Sequence, residues 1–342
     1  MELAVFFICA VAWATPVAAF SVPVPSPKGS FEDFHEYTSS HAGRWRGLWS
    51  TYDADGVQQG DPDRMDTTLD LSSDGETLTH INTLFVGSVD SECATCHDSV
   101  ETRDIPVGRY TKETFRHRAS SGCYVSGPGV TRRGDMTTEV GLTLDPDRRV
   151  RVVVSHRPVF DGVEPPSQLN LERIVVVRET RALDGEQRPP SVDSPWSSDR
   201  PSWLGLWRGE AKILDSEGGG SLRWKEMALP PTHLRKCRCS GASNDDHSHA
   251  SFEVDGGILL ETPKSVFAGT PSEMSVRLAV GRRSKSIAPD RVVQTKVQFE
   301  ALSRIVDTAS GGLESDSVRI SPPKLLSFSV ENFRPVQSAG LG

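Results

Sequence analysis

Several signatures are missing from this 342-residue chain, and each absence removes a function class. It holds no Gly-x-Ser-x-Gly elbow, no Gly-x-x-x-x-Gly-Lys loop and no His-Glu-x-x-His pair. The usual serine hydrolases, phosphate-cradling NTPases and zinc proteases therefore have no footing here. No long basic block exists; the densest cluster is the Gly281–Lys285 stretch, and the net charge is −8, spread along the chain. Nucleic-acid binding is disfavoured on both counts. After Leu3–Ala14 no second long apolar run follows, so no spanning segment is expected beyond the leader. Asn-x-Ser/Thr is absent as well, which suits a destination that needs no N-glycans.

What is present points to strands and turns. Pro (23) and Gly (29) are frequent, and the apolar runs are short and rich in Val. The first nineteen residues read as a signal peptide: an apolar core ends in Thr15–Ala19, with Val17 and Ala19 small enough to flank a cut. Glu2, the one charge near the start, departs from the basic residue usual there. A cut after Ala19 exposes Phe20, and this junction resembles the two-part plastid leaders of algae with red-derived plastids. Residues 20–30, with Ser21–Ser30 free of acids, then stand as a transit segment, so the expected destination is the plastid or the exterior.

Ser30 and Asp33 have the spacing of a capping box, and Phe31, Phe34 and Tyr37 recur every three residues, predicting a short helical turn. Period-two alternation takes over after Ala42. Met65, Thr67, Leu69 and Leu71 share one face; Leu78, His80, Asn82 and Leu84 share another. Met136 to Leu144, Val150 to Val154 and Leu169 to Arg178 continue the pattern. Asp55-Gly56 and Asp74-Gly75 supply tight turns, so the strands are antiparallel and not βαβ units. In the second half Val293, Thr295, Val297 and Phe299 form an apolar face, with Gln294, Lys296, Gln298 and Glu300 on a wet one.

Ala182 to Pro201 is polar with four Pro and reads as a linker. On either side stand Gly43-Arg44-Trp45-Arg46-Gly47 and Gly205-Leu206-Trp207-Arg208-Gly209, both Gly-x-Trp-Arg-Gly and 162 positions apart. Self-similarity at that distance suggests a duplicated domain. The expected organisation is therefore a first unit at 31–181, a linker at 182–201 and a second unit at 202–342.

Gly-x-Trp after a helical turn, at the head of an up-and-down set of strands, resembles the lipocalin or calycin signature. That resemblance implies two tandem antiparallel β-barrels, each floored by its Trp under an Arg from the last strand. For Trp45 the candidates are Arg178 and Arg181; for Trp207, Arg334. The first half is similar, more closely, to an uncharacterised two-barrel calycin-like family of cyanobacteria, algae and plants. The segments that carry it are His41–Gly47, Tyr52-Asp53, Thr102-Arg103, Val107–Tyr110, Gly127-Pro128, Gly134–Glu139, His156–Val159, Gly162–Pro165 and Arg178-Glu179. The second barrel's head matches at Gly205–Glu210. The family implies fold and little about activity.

Cys93-Ala94-Thr95-Cys96-His97 has the c-type haem attachment pattern, with His117, Met136 and Met65 available as a second axial ligand. Its surroundings, Gly87 to Asp104, are polar and acid-rich. A Cys93–Cys96 disulfide, one from either to Cys123, or zinc on these residues are the alternatives. Cys237, Cys239, His247 and His249 are spaced too tightly for a usual zinc site. His80 and Asn82 can point into a barrel, and His156 is a further candidate contact. The functional expectation is non-catalytic binding of a hydrophobic small molecule: a tetrapyrrole, a carotenoid or a fatty acid. No catalytic residue, metal site or certain cofactor is assigned. The rival expectation is a chromophore- or lipid-modifying enzyme of calycin type, working through Cys93, Cys96 or Cys123.

Overall fold

The computed structural model describes residues 31–86, 101–130, 135–159, 167–182, 206–216, 222–234, 249–254, 257–280, 291–300, 303–306, 318–321 and 323–336. The linker after Ala182, the leader, Cys93, Cys96, His97, Cys237, Cys239 and His247 lie outside them.

The aromatic spacing near the start makes helix α1 (Phe31–His41), which buries Phe34, Tyr37 and His41 on one side while Phe31 stays exposed. Ser30, the other half of the expected capping box, lies outside the described residues. The Asp33 carboxylate accepts from the Ala119 backbone N–H at 3.0 Å and from Arg118 at 2.8 Å, pinning the helix to the distant Arg118–Ser120 strand.

Nine strands follow: β1 (Gly43–Asp53), β2 (Asp63–Leu71), β3 (Thr77–Val86), β4 (Glu101–Thr111), β5 (Arg118–Ser120), β6 (Cys123–Val130), β7 (Met136–Asp145), β8 (Arg148–Pro158) and β9 (Gln168–Arg181). After them come β10 (Trp207–Ser216), β11 (Leu222–Thr232), β12 (His249–Val254), β13 (Ile258–Pro263), β14 (Ser265–Phe267), β15 (Pro271–Val280), β16 (Arg291–Glu300), β17 (Ser303–Val306), β18 (Val318–Ser321) and β19 (Lys324–Pro335). The first sheet runs β4-β3-β2-β1-β9-β8-β7-β6-β5, with β14 added to β9; the second runs β11-β10-β19-β16-β15-β13-β12. Every pairing is antiparallel. In each sheet the strand carrying Gly-x-Trp-Arg-Gly pairs with the last strand, β1 with β9 and β10 with β19. Among the described residues no pairing joins the end strands of either sheet, so closure of the second into a barrel does not hold there.

The two sheets share one apolar core. Val125, Val140, Val152, Val154, Ile174 and Val176 of the first pack in a single cluster with Val276, Val293, Val297, Phe299, Phe328 and Val330 of the second. Each such side chain contributes about 1.5–3 kcal/mol on burial, so this seam is the main cohesive element. The apolar face expected on β16 is thus buried, but against the first sheet. Its polar face is not simply wet: Gln294 is buried and accepts from Arg277 at 2.8 Å, and Lys296 donates to Glu331 at 2.7 Å. Because β6 to β9 spend their apolar face on the seam, their other face is free to be polar. That face carries the candidate site.

Candidate functional site

The floor of the site is built from the first Gly-x-Trp-Arg-Gly. Trp45 is fully buried and donates its indole N–H to the His41 carbonyl at 2.7 Å, at the end of α1. Arg181 stacks on its ring with the guanidinium carbon 4.2 Å from the centroid and donates to the Ala42 carbonyl at 2.8 Å. Arg149 lies 4.3 Å from the same ring. Cationic donors on helix-terminal carbonyls also suit the negative end of the helix dipole. Arg178 takes no part in this. Alternation along β9 puts it on the other face, where it donates to the Ser50 hydroxyl at 3.4 Å. Gly47 allows β1 and β9 to approach: a Cβ there would lie 2.6 Å from Glu179 Cγ.

The second motif makes a different environment. Trp207 is buried among Leu234, Leu259, Val292 and Phe333, away from the shared core. Arg334 is exposed and stands opposite Arg208 in register, so Phe333 packs in this cluster where an Arg cap was expected.

Above Trp45 sits a buried ionic group. Arg149 donates to Glu179 at 2.6 Å, and Arg151 reaches Glu179 at 3.0 Å, Thr67 at 3.1 Å and Glu139 at 3.4 Å. Tyr124 donates a short hydrogen bond to Glu139. Burial works against the Glu179 charge, but Arg149 and Arg151 outweigh it and hold the carboxyl well below its usual range. Glu139 is lowered in the same sense: burial opposes its charge, and Arg151 with the Tyr124 hydroxyl overcomes that.

Around these charges lie His41, His80, His117, Tyr37, Tyr110 and Tyr124. His80 and Asn82 do come together, 3.2 Å apart. Burial, assisted by Arg151, pushes His80 down to about 3, and burial pushes His117 down to about 4. His41 is lowered further, by burial and then by Arg149. All three imidazoles are therefore neutral at pH 7. Tyr110 is pushed up to about 12, by burial and then by Glu139, and stays protonated.

Trp49, His80, Leu84, His117, Thr137 and Val153 keep solvent-accessible surface on this side of the sheet, and the Glu139 side chain is 28% exposed. Groups deep enough for burial to displace their titration, yet still reached by solvent, share this face of the first sheet. Arg151 lies 5.0 Å from the Trp49 ring centroid, giving the wall a cation–π pair. The Nδ1 of His117 and Nη2 of Arg149 are buried without a protein partner. The arrangement offers hydrogen-bond donors, acceptors and aromatic surface on one face of the sheet.

His156 is elsewhere. It is buried at the junction with the β13–β14 connection and bonds the Pro263 carbonyl through Nε2 at 3.0 Å. Cys123 is a free thiol buried in the shared core, and burial pushes it up to about 12, so it is not the bridge partner expected for Cys93 or Cys96. Met136 also sits in that core, on the opposite side of the sheet from His117. Among the described residues no group of three or more His, Cys, Asp or Glu could hold a metal ion, and no helix is long and apolar enough to cross a membrane. Arg149, Arg151, Glu139 and Glu179 were not singled out as site residues from sequence. The signal available was two Arg alternating with the Val150–Val154 row.

No protein-family model and no curated protein matches the chain. Among solved structures, it is similar to a protein of unknown function from the DUF3598 family of Nostoc punctiforme. The identity is 12%, 89% of this chain and 99% of that one are covered, and the TM-score is 0.51. At that identity the likeness is one of fold, and it agrees with an all-β chain from an uncharacterised domain family.

Proposed function

We propose that this chain is a non-catalytic binding protein whose first sheet holds a small, largely hydrophobic molecule on its concave face. The observation that carries this reading is the combination of a sealed floor at Trp45 with part-exposed groups above it, Trp49, His80, His117 and Glu139. Ring or polyene surface would lie against Trp49, Leu84 and Val153. A polar end would reach Arg151, Glu139, His80 and Asn82. Tetrapyrroles, carotenoids and fatty acids all have that general shape, and a lipocalin-like, barrel-forming first unit would enclose such a guest. The leader supports delivery to a plastid or to the exterior.

The test is a fluorescence titration of the mature chain with Nile red. Saturable binding that weakens when Trp49 is replaced by Ala is the expected result. Linear, unsaturable fluorescence with the wild-type chain overturns the proposal.

A further inference from the structure

We propose that this concavity selects electrically neutral guests, apolar molecules whose polar end is a hydroxyl, ketone or amide and not a carboxylate or an ammonium. The inference rests on the binding reading above and narrows it. It starts from a charge count. Among the described residues the charged groups deepest in the hollow are Arg149 and Arg151 from β8, Glu179 from β9 and Glu139 from β7. Two cations meet two anions, and each guanidinium already has a carboxylate partner, Glu179 for Arg149 and both carboxylates for Arg151, with Arg149 Nη2 left to take a neutral acceptor. Asp63, opposite Trp49, and Arg103, opposite Leu84, add one of each sign at the exposed rim. Arg181 is spent on the Trp45 ring and the Ala42 and Pro146 carbonyls.

The other elements add polarity without charge. Tyr37 and His41 come from α1, Thr67 from β2, His80 and Asn82 from β3, Tyr110 from β4, His117 from the turn before β5, and Tyr124 from β6. The imidazoles are held neutral and the phenols protonated. Toward the other end of β1, Asp53 stands opposite Arg173 in register, again one of each sign.

A ligand carboxylate entering this hollow has to compete with Glu139 for Arg151. Whichever anion loses is left without its counter-charge among largely buried groups, which is unfavourable. An ammonium would draw on Glu139 and strip it from Arg151 and Tyr124. A hydroxyl or carbonyl avoids both costs. Neutral imidazole presents one donor and one acceptor nitrogen, so His80 and His117 can pair with either kind of group.

Retinol and retinoic acid share one polyene body and differ in the head group, so they isolate the charge. Each is titrated into the full mature chain at pH 7, read by tryptophan quenching. Retinol is expected to bind at least about tenfold more tightly, a difference of about 1.4 kcal/mol. Glu139→Gln leaves the interior with one excess positive charge, and the preference should reverse toward retinoic acid. Saturable retinol binding with retinoic acid equal or tighter overturns the neutrality claim and leaves the binding reading standing. Saturation by neither ligand, nor by Nile red, overturns both. E139Q is compared only if it melts cooperatively; if it does not fold, the wild-type ratio decides alone.

Discussion

Arg181 and Trp45 are locked together: the guanidinium covers the indole at 4.2 Å and at the same time caps the Ala42 carbonyl. This pair joins the last strand of the first sheet to its first strand and to the end of α1. Trp45→Phe removes the hydrogen bond to the His41 carbonyl and should cost about 1–2 kcal/mol. Arg181→Ala should cost about as much, through lost stacking and an uncapped helix end. Arg178→Ala, on the other face, should change the melting temperature far less. Thermal denaturation of the three variants measures the order.

Glu179 is the pivot of the buried ionic group. Glu179→Gln leaves Arg149 and Arg151 with only Glu139 between them and should destabilise by about 3–5 kcal/mol. Its folded carboxyl lies below the ordinary 4.5. The unfolded chain therefore takes up the proton first, so the stability Glu179 contributes is present above pH 4.5 and drains as pH falls below it. Urea denaturation between pH 5 and 3 should show a steeper loss in wild type than in E179Q.

The histidines govern a different window. His80 at about 3 and His117 at about 4 lie below the ordinary 6.5, so the unfolded chain binds protons that the folded one excludes. Their contribution is whole above pH 6.5 and diminishes as pH drops from 6.5 toward 4. His117→Phe should flatten that slope without moving the one below pH 4.5. Urea midpoints at half-unit pH steps test this.

Cys123 should be inert in the native state, since its thiol is buried and pushed up to about 12. Iodoacetamide at pH 8 followed by peptide mass spectrometry is expected to find Cys123 unmodified until denaturant is added. Rapid native labelling would contradict the shared core between the sheets.

Gly47 and Gly209 occupy the same place in the two motifs, and each is pressed by its partner strand. A Cβ at Gly209 would lie 2.6 Å from the Phe333 ring, as one at Gly47 would from Glu179. Ala at either position should destabilise by about 1–3 kcal/mol, and more at Gly47, where the Arg178 backbone carbonyl is also in the way.

Much of the fold was legible because alternation is a local property. The β2 and β3 faces, the Val row of β8 and the apolar face of β16 could be read residue by residue. β4 escaped because it is an edge strand, exposed for most of its length and interrupted by Pro106 and Gly108, so nothing in it alternates. The seam between the sheets also escaped. A buried face looks the same in sequence whether it meets its own barrel interior or a second sheet. For the same reason Arg149 and Arg151 have no assigned side from sequence alone. Once Val150, Val152 and Val154 are assigned to the seam, parity sends both arginines to the concave side, but that assignment needs the fold. His156 shares the parity of Val154 and stands opposite Met136, so it falls on the seam side, and that too is visible only once the seam is known.

The most direct measurement is the position of retinol in a crystal of its complex with the mature chain. The polyene is expected against Trp49 on the concave side of the first sheet, with the hydroxyl in hydrogen-bond reach of His80, His117 or Glu139. Retinol found against the second sheet, or only on the outer surface, would contradict it.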